Sequence, residues 1–149
     1  MFSLTPYLVH RGCGQSFLIF AKSRIPPAQG MTIPRLELIA ALISSGAIAY
    51  VHRHLQPLQL SENCPRILRS DSKVVLQWIA NPGNHGRFVD NRHTEIRNNK
   101  LVCRYVPADD NLADAVSRRC SPRELLHHPL WWKGPLWLCK DPSEWPKRK

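Results

Sequence analysis

The chain has 149 residues, 43% of them hydrophobic and 21% charged, which is the composition of one globular domain with a buried core and excludes a disordered chain. Lys and Arg outnumber Asp and Glu by 21 to 11, and this formal charge of +10 favours a polyanionic partner, most commonly nucleic acid. No apolar run approaches the about 20 residues of a membrane span, and no secretory signal is evident, which predicts an intracellular protein, cytoplasmic or nuclear, that is not secreted and has no membrane partner.

The N-terminal third predicts a hairpin followed by a long helix. The segments "TPYLVHR" and "QSFLIFAKSR" are typical of strands, and "GCG" between them predicts the turn. After the loop "IPPAQG", Thr32 and Pro34 suit the start of a helix as a hydroxyl cap and an early proline. This helix is predicted to end near Leu55, before Pro57.

The rest of the chain predicts alternating strands and helices. They are a strand at 66–70, a helix at 73–80, a mostly helical stretch "RFVDNRHTEIRNNK", a strand "LVCRYV" and a short helix at 112–118. The order β-β-α-β-α-α-β-α predicts an α/β fold with a mixed sheet flanked by helices, because the hairpin is antiparallel and the later strands return through helices. Residues 1–120 are predicted to form this domain and residues 121–149 a Trp- and Pro-rich basic tail, whose tryptophans pack on the domain rather than stack on bases.

Asp71 stands between the strand at 66–70 and the helix at 73–80. An aspartate here can cap the helix by accepting hydrogen bonds from its free backbone N–H groups. The C-terminal end of a strand is also where open α/β sheets present catalytic groups. These residues alone leave both interpretations open.

Two further carboxylates also lie near element ends. Glu37 is the only formally charged side chain between Arg35 and Arg53, and the face of the helix that carries it is apolar. If this face is buried, the carboxylate needs a partner for its charge. Alternatively, its position near the helix start allows a favourable interaction with the helix dipole. Asp114 would be the third residue of the last helix, where a carboxylate again favours the dipole. Converging carboxylates provide the oxygen ligands that Mg²⁺ or Mn²⁺ requires, and paired ions can promote phosphodiester cleavage.

Four ordered motifs, "AKSRIPPAQGMTIPRLELIAAL", "SDSKVVLQWI", "YVPADDNLADAVSR" and "LWWKGPLWL", resemble the ribonuclease H-like region of BEL/Pao-type LTR retrotransposon polyproteins over roughly residues 5–140. The resemblance implies an RNase H-like fold and descent from a two-metal nuclease that cuts RNA in RNA–DNA hybrids. It implies Mg²⁺ or Mn²⁺ as cofactor and the reverse transcriptase and integrase parts of the same polyprotein as partners. Glu37, Asp71 and Asp114 match the family's acidic cluster, so the resemblance implies that they are catalytic metal ligands. Ser72 can then cap the helix in place of Asp71. Leu112 replaces a proline that is common in the last motif.

One part of the family pattern is absent from this sequence. The first catalytic aspartate lies on the family's first strand, whose position falls before Met1, and residues 1–36 contain no Asp or Glu. That strand is central in the fold, between the second and fourth strands, so its loss leaves two strands with unpaired backbone groups. The resemblance therefore predicts an incomplete domain with impaired activity; the alternatives are a non-catalytic nucleic-acid-binding module and a non-functional remnant of the polyprotein.

Basic residues around the polar helical stretch are candidates for contacts with nucleic-acid phosphates. They are Lys73, Arg87, Arg92, His93 and Arg97. For each, the alternative is an ordinary solvated face. The histidines and the five cysteines show no zinc-ligand spacing, and the odd number of cysteines speaks against a disulfide scaffold.

Overall fold

The computed structural model describes residues 2–10, 12–25, 30–59, 64–113 and 120–146. The chain divides into two compact units. Unit 1 combines Met1–Pro26 with Val106–Lys149, and unit 2 is Pro27–Tyr105. The predicted division at residue 120 stays a prediction.

The N-terminal part of unit 1 contains four short strands: β1 (Phe2–Leu4), β2 (Tyr7–His10), β3 (Gln15–Leu18) and β4 (Lys22–Arg24). β2 and β3 form the predicted antiparallel hairpin, with Tyr7 opposite Leu18. Gly14 in the turn has a φ of +61°, a conformation that glycine adopts without steric cost. β1 pairs antiparallel with β4, so the segment predicted as one second strand is divided into β3 and β4.

The C-terminal part of the same unit contains two short helices, and the second of them packs against the hairpin. They follow the three helices of unit 2, which are given below, and are therefore numbered α4 (Pro122–Leu126) and α5 (Pro129–Lys133). Trp131 is only 5% exposed, and its carbonyl oxygen accepts a hydrogen bond of 3.0 Å from the Tyr7 hydroxyl. The Ser16 hydroxyl donates to the carbonyl of Lys133. These contacts attach α5 to both strands of the hairpin.

Unit 2 contains three helices and a pair of strands: α1 (Ile33–Leu55), β5 (Ile67–Ser70), α2 (Lys73–Ala80), α3 (Arg87–Asn98) and β6 (Val102–Tyr105). β5 and β6 pair in parallel, with Ile67 opposite Val102. The positions of these elements agree with the sequence predictions. The expected hydroxyl cap of α1 is wrong, however, because the Thr32 side chain makes no capping hydrogen bond.

The core of unit 2 lies where the three helices meet β5. Its fully buried centre is formed by Leu38 of α1, Val75 of α2 and Ile96 of α3. Burying such a side chain stabilises the fold by about 1.5–3 kcal/mol. Leu68 of β5 belongs to the same cluster, so one apolar centre fixes all four elements.

The strands do not form the single mixed sheet that the sequence predicted. In the described part of the chain they form three separate two-stranded sheets, β1–β4, β2–β3 and β5–β6. The small sheets and several helices fit an RNase H-like α/β fold. The predicted helix at 112–118 falls largely on residues 114–119, outside the described residues.

The helical segment Ile33–Leu58 is long and apolar enough, by length and composition, to cross a membrane. Glu37 and two serines interrupt the apolar residues of this helix, so the sequence contains no long uninterrupted apolar run. A core helix passes the same test, and Leu38, Ala41 and Ser45 of α1 are buried. The predicted location in the cytoplasm or nucleus stays a prediction.

Candidate metal and nucleic-acid site

Ser72, rather than Asp71, caps α2. The Ser72 hydroxyl oxygen accepts a hydrogen bond of 3.3 Å from the backbone N–H of Val75, and the Ser72 N–H donates to the Ser70 hydroxyl at 3.1 Å. Asp71 lies half-buried in the bend between β5 and this cap. Its carboxylate makes no hydrogen bond or ion pair with any described residue, so the capping interpretation of Asp71 is excluded.

Glu37 is the fifth residue of α1 and therefore follows the first turn, which holds no acidic residue. Its side chain is half-buried, beside the fully buried Leu38. Within the part of the chain that the structure describes, the Glu37 carboxylate has neither a hydrogen bond nor an ion pair. Its distance from the helix start weakens the dipole explanation, because that effect fades within the first turn.

The fold brings the segments that carry these two acids to the same core. Leu38, next to Glu37, packs in one buried cluster with Leu68 and Val75, which come from the strand and the helix on either side of Asp71. Among the described residues, no group of three or more His, Cys, Asp and Glu side chains could hold a metal ion. Asp114 lies outside the described residues, and its role stays a prediction.

The donor chemistry of Glu37 and Asp71 fits a hard divalent cation. Both are half-buried carboxylates without partners among the residues that the structure describes, and burial of an uncompensated charge is costly. Oxygen ligands of this kind are those that Mg²⁺ and Mn²⁺ prefer.

Three of the predicted phosphate-binding residues are accessible. Lys73, Arg87 and Arg97 are exposed, at the start of α2 and the two ends of α3. The Lys73 ammonium lies 5.4 Å from the centre of the Tyr105 ring.

Arg69 of β5 is half-buried beside Tyr105. Its guanidinium donates a hydrogen bond of 3.2 Å to the Tyr105 carbonyl. Burial and the like charge of Arg104 lower the pKa of Arg69.

The Phe88 ring contacts two guanidinium groups. Arg92 lies 3.6 Å from the ring centre and also donates to the Phe88 carbonyl at 2.9 Å, so this half-buried side chain is already held by the protein. Arg35 lies 5.2 Å from the same ring, which joins the first turns of α1 and α3. Sequence reasoning missed Arg35, because its proximity to Phe88 arises only from the packing of the two helices.

His93 is buried, unlike Lys73, Arg87 and Arg97, and its contact with phosphate stays a prediction. This side chain is 6% exposed, and its Nε2 lies 3.6 Å from a carboxylate oxygen of Asp90. His93 follows Val89 by four residues and precedes Ile96 by three, and both neighbours are buried. It therefore belongs to the buried stripe of α3 rather than to its solvated face.

Residues 2–66 match a family model described as the Pao retrotransposon-like RNaseH-like domain. Over these residues the chain is similar to the RNase H-like domain of Pao-type retrotransposons. This region includes the hairpin and Glu37, while Asp71 and Asp114 lie beyond the matched residues. Comparisons with curated proteins and with solved structures found no match. The family resemblance of the later motifs therefore remains the basis for assigning roles to those two aspartates.

Proposed function

We propose that this Pao-type RNase H-like region is a divalent-metal nuclease domain for RNA in RNA–DNA hybrids, and that residues 1–149 alone cut weakly. The observation that supports this most directly is the uncommitted Asp71 carboxylate at the end of β5. Because Ser72 supplies the helix cap, the carboxylate is free for a ligand.

Glu37 and Asp71 would hold Mg²⁺ or Mn²⁺, with Asp114 as the further ligand that the family resemblance assigns. Such ions supply an activated water and stabilise the leaving oxygen of a phosphodiester. Ser72 fixes the first turn of α2 and so restricts the backbone that carries Asp71. The exposed cations Lys73 and Arg87 would bind phosphates of the hybrid and hold the strand in place.

Impaired activity is inferred from the family resemblance. In the RNase H-like arrangement a central strand lies between the strands that the resemblance equates with β2 and β5. The described residues contain no strand that joins β2 to β5, and no Asp or Glu precedes Glu37. We infer that an aspartate-bearing strand is needed to complete the sheet and the metal site.

The second candidate is a nucleic-acid-binding domain without nuclease activity. It is favoured by the net charge of +10 and by the lack of a group of three metal-ligating side chains among the described residues. Such a domain would bind through phosphate contacts, and its affinity would fall steeply with salt.

The test is cleavage of a labelled RNA–DNA hybrid in Mg²⁺ and in Mn²⁺. The unaltered chain would be compared with a version that carries an aspartate-bearing N-terminal strand, and each would also be prepared as Asp71→Asn. Asp109→Asn is the matched control, because Asp109 is an exposed residue of a short 3-10 helix. We expect cleavage by the extended version, its loss in Asp71→Asn and its retention in Asp109→Asn.

Other outcomes separate the alternatives. Equal cleavage by the unaltered and extended chains would refute the impairment. Salt-dependent hybrid binding without cleavage by any version would favour the binding domain, and the absence of both would favour a remnant without activity.

A further inference from the structure

A second cluster of cations lies on unit 2, away from Glu37. The basic groove, as we call it, is lined among others by His52, Arg53, Arg66, Asn98, Asn99 and Lys100. Arg53 follows Glu37 by sixteen residues on the same helix, which corresponds to about 24 Å at 1.5 Å per residue. The groove is therefore distinct from Glu37, and no acidic residue lines it.

The charge of the groove exceeds what the helix ends require. Arg53, Arg66 and Lys100 contribute three permanent positive charges, and no carboxylate is among the lining residues. The C-terminal ends of α1 and α3 each carry the equivalent of about half a negative charge, so the sum stays clearly positive. Arg66 precedes β5 and belongs to neither helix, so helix-dipole compensation does not explain it.

Several hydrogen bonds hold the walls of the groove together. The Asn99 side-chain amide donates to the hydroxyl of Ser45 at 3.1 Å, and Ser45 is fully buried in α1. The Arg66 carbonyl accepts a 2.9 Å hydrogen bond from the N–H of Val102. The first bond joins the end of α3 to the middle of α1, and the second joins the residue before β5 to the start of β6, so these parts of the wall are ordered before a ligand binds.

The size of the groove suits small polar groups. Its volume is about 240 Å³, against about 30 Å³ for one water molecule and about 300–1,000 Å³ for sites that enclose drug-sized ligands. Guanidinium and ammonium groups match the oxygens of phosphate in geometry and charge.

We propose that the basic groove binds phosphate groups, either those of a nucleic-acid strand or those of a free polyphosphate. This site is independent of the proposed nuclease function, because it uses none of the acidic residues. Arg53 and Lys100 are exposed and reach the ligand from two helices, while the half-buried Arg66 supplies the third charge.

The test follows the backbone amide signals of Asn98, Asn99 and Lys100 by NMR while tripolyphosphate, or a single-stranded oligonucleotide without terminal phosphates, is added. The variant Arg53→Gln/Lys100→Gln removes two exposed cations of the groove. Lys22→Gln/Arg24→Gln removes two exposed cations of β4 and changes the net charge equally. The amide spectra also establish that both variants are folded.

We expect saturable shifts at the three amides, an affinity about tenfold lower in the groove variant and a change below about twofold in the β4 variant. Shifts with both probes support phosphate recognition in general, and shifts with one probe identify its source. The absence of saturable shifts at these amides, or an equal loss in the two variants, would overturn the proposal.

Discussion

Ser72 and Asp71 are neighbours in sequence, but their side chains have different environments. The Ser72 oxygen accepts the N–H of Val75, whereas the Asp71 carboxylate has no hydrogen bond to a described residue. Either residue type can cap a helix, so the sequence "SDSK" could not decide between them. The position of the first helical residue, Lys73, makes Ser72 the cap.

This division of roles predicts opposite effects on stability. Ser72→Ala should lower the free energy of unfolding by about 1 kcal/mol, because α2 loses its capping hydrogen bond. Asp71→Asn should leave stability unchanged or raise it slightly, because the charge has no partner among the described residues. Urea denaturation of both variants would measure this, and an equal loss in Asp71→Asn would mean that Asp71 has a structural role.

Tyr7 predicts a pH dependence in unit 1. Burial raises the pKa of Tyr7 from 10.0 to about 12, and a hydrogen bond with Thr5 opposes part of this change. Above pH 10 the unfolded state releases the phenolic proton first, so the stability due to the folded phenol is complete below pH 10 and is lost as the pH rises through 12.

Tyr7→Phe removes both the titrating group and the hydrogen bond to the Trp131 carbonyl. At pH 9 we expect the wild type to be more stable by about 1 kcal/mol, and this difference should shrink toward pH 12. Urea denaturation at several pH values would measure it. A difference that stays constant over this range would contradict the assignment.

The bounds of the helices and strands depend on local sequence signals, whereas the contacts between these elements depend much less on them. Pro34 and Pro57 bracket α1, and the glycines of "GCG" and "NPGNHG" mark a turn and the end of α2, so bounds within a few residues could be predicted. His93 could not be assigned in the same way. Its polarity favoured the solvated face, but its spacing from Val89 and Ile96 places it in the core.

The packing of α1 can be tested by truncation at two sites of opposite exposure. Leu38 is fully buried, so Leu38→Ala should lower the free energy of unfolding by about 2–5 kcal/mol through lost burial and the remaining cavity. Ile33, at the start of the same helix, is 71% exposed, and Ile33→Ala should change it by less than about 0.5 kcal/mol. Equal effects in urea denaturation would contradict this arrangement of α1.

At the scale of the whole molecule, sequence reasoning provided the α/β class and a resemblance to the Pao family that residues 2–66 support, but not the distribution of charge. The basic groove joins Arg53, Arg66 and Lys100, which stand far apart in the sequence and meet only through packing. The pairing of the strands could not be predicted either, because it depends on which strands become neighbours in the folded chain. The three separate strand pairs became evident only in the structure.

The accessible cations predict a salt-dependent affinity for RNA–DNA hybrids. If Arg87 and Arg97 each contact one phosphate, substitution of either by Gln should weaken binding and reduce the slope of log affinity against log salt by about 0.9. Fluorescence anisotropy from 50 to 200 mM salt would measure the slope. An unchanged slope in both variants would show that these residues do not contact the phosphates. Lys22→Gln serves as the control variant.

The central claim is that Glu37 and Asp71 bind the same metal ion. The most direct measurement is the broadening of backbone amide signals by Mn²⁺ in the ¹⁵N-labelled chain, with Mg²⁺ as competitor. We expect signals around both residues to broaden together, to recover with Mg²⁺, and to be unaffected by Mn²⁺ in Asp71→Asn but not in Asp109→Asn. Broadening around only one of the two acids, or broadening that persists in Asp71→Asn, would contradict the shared metal site.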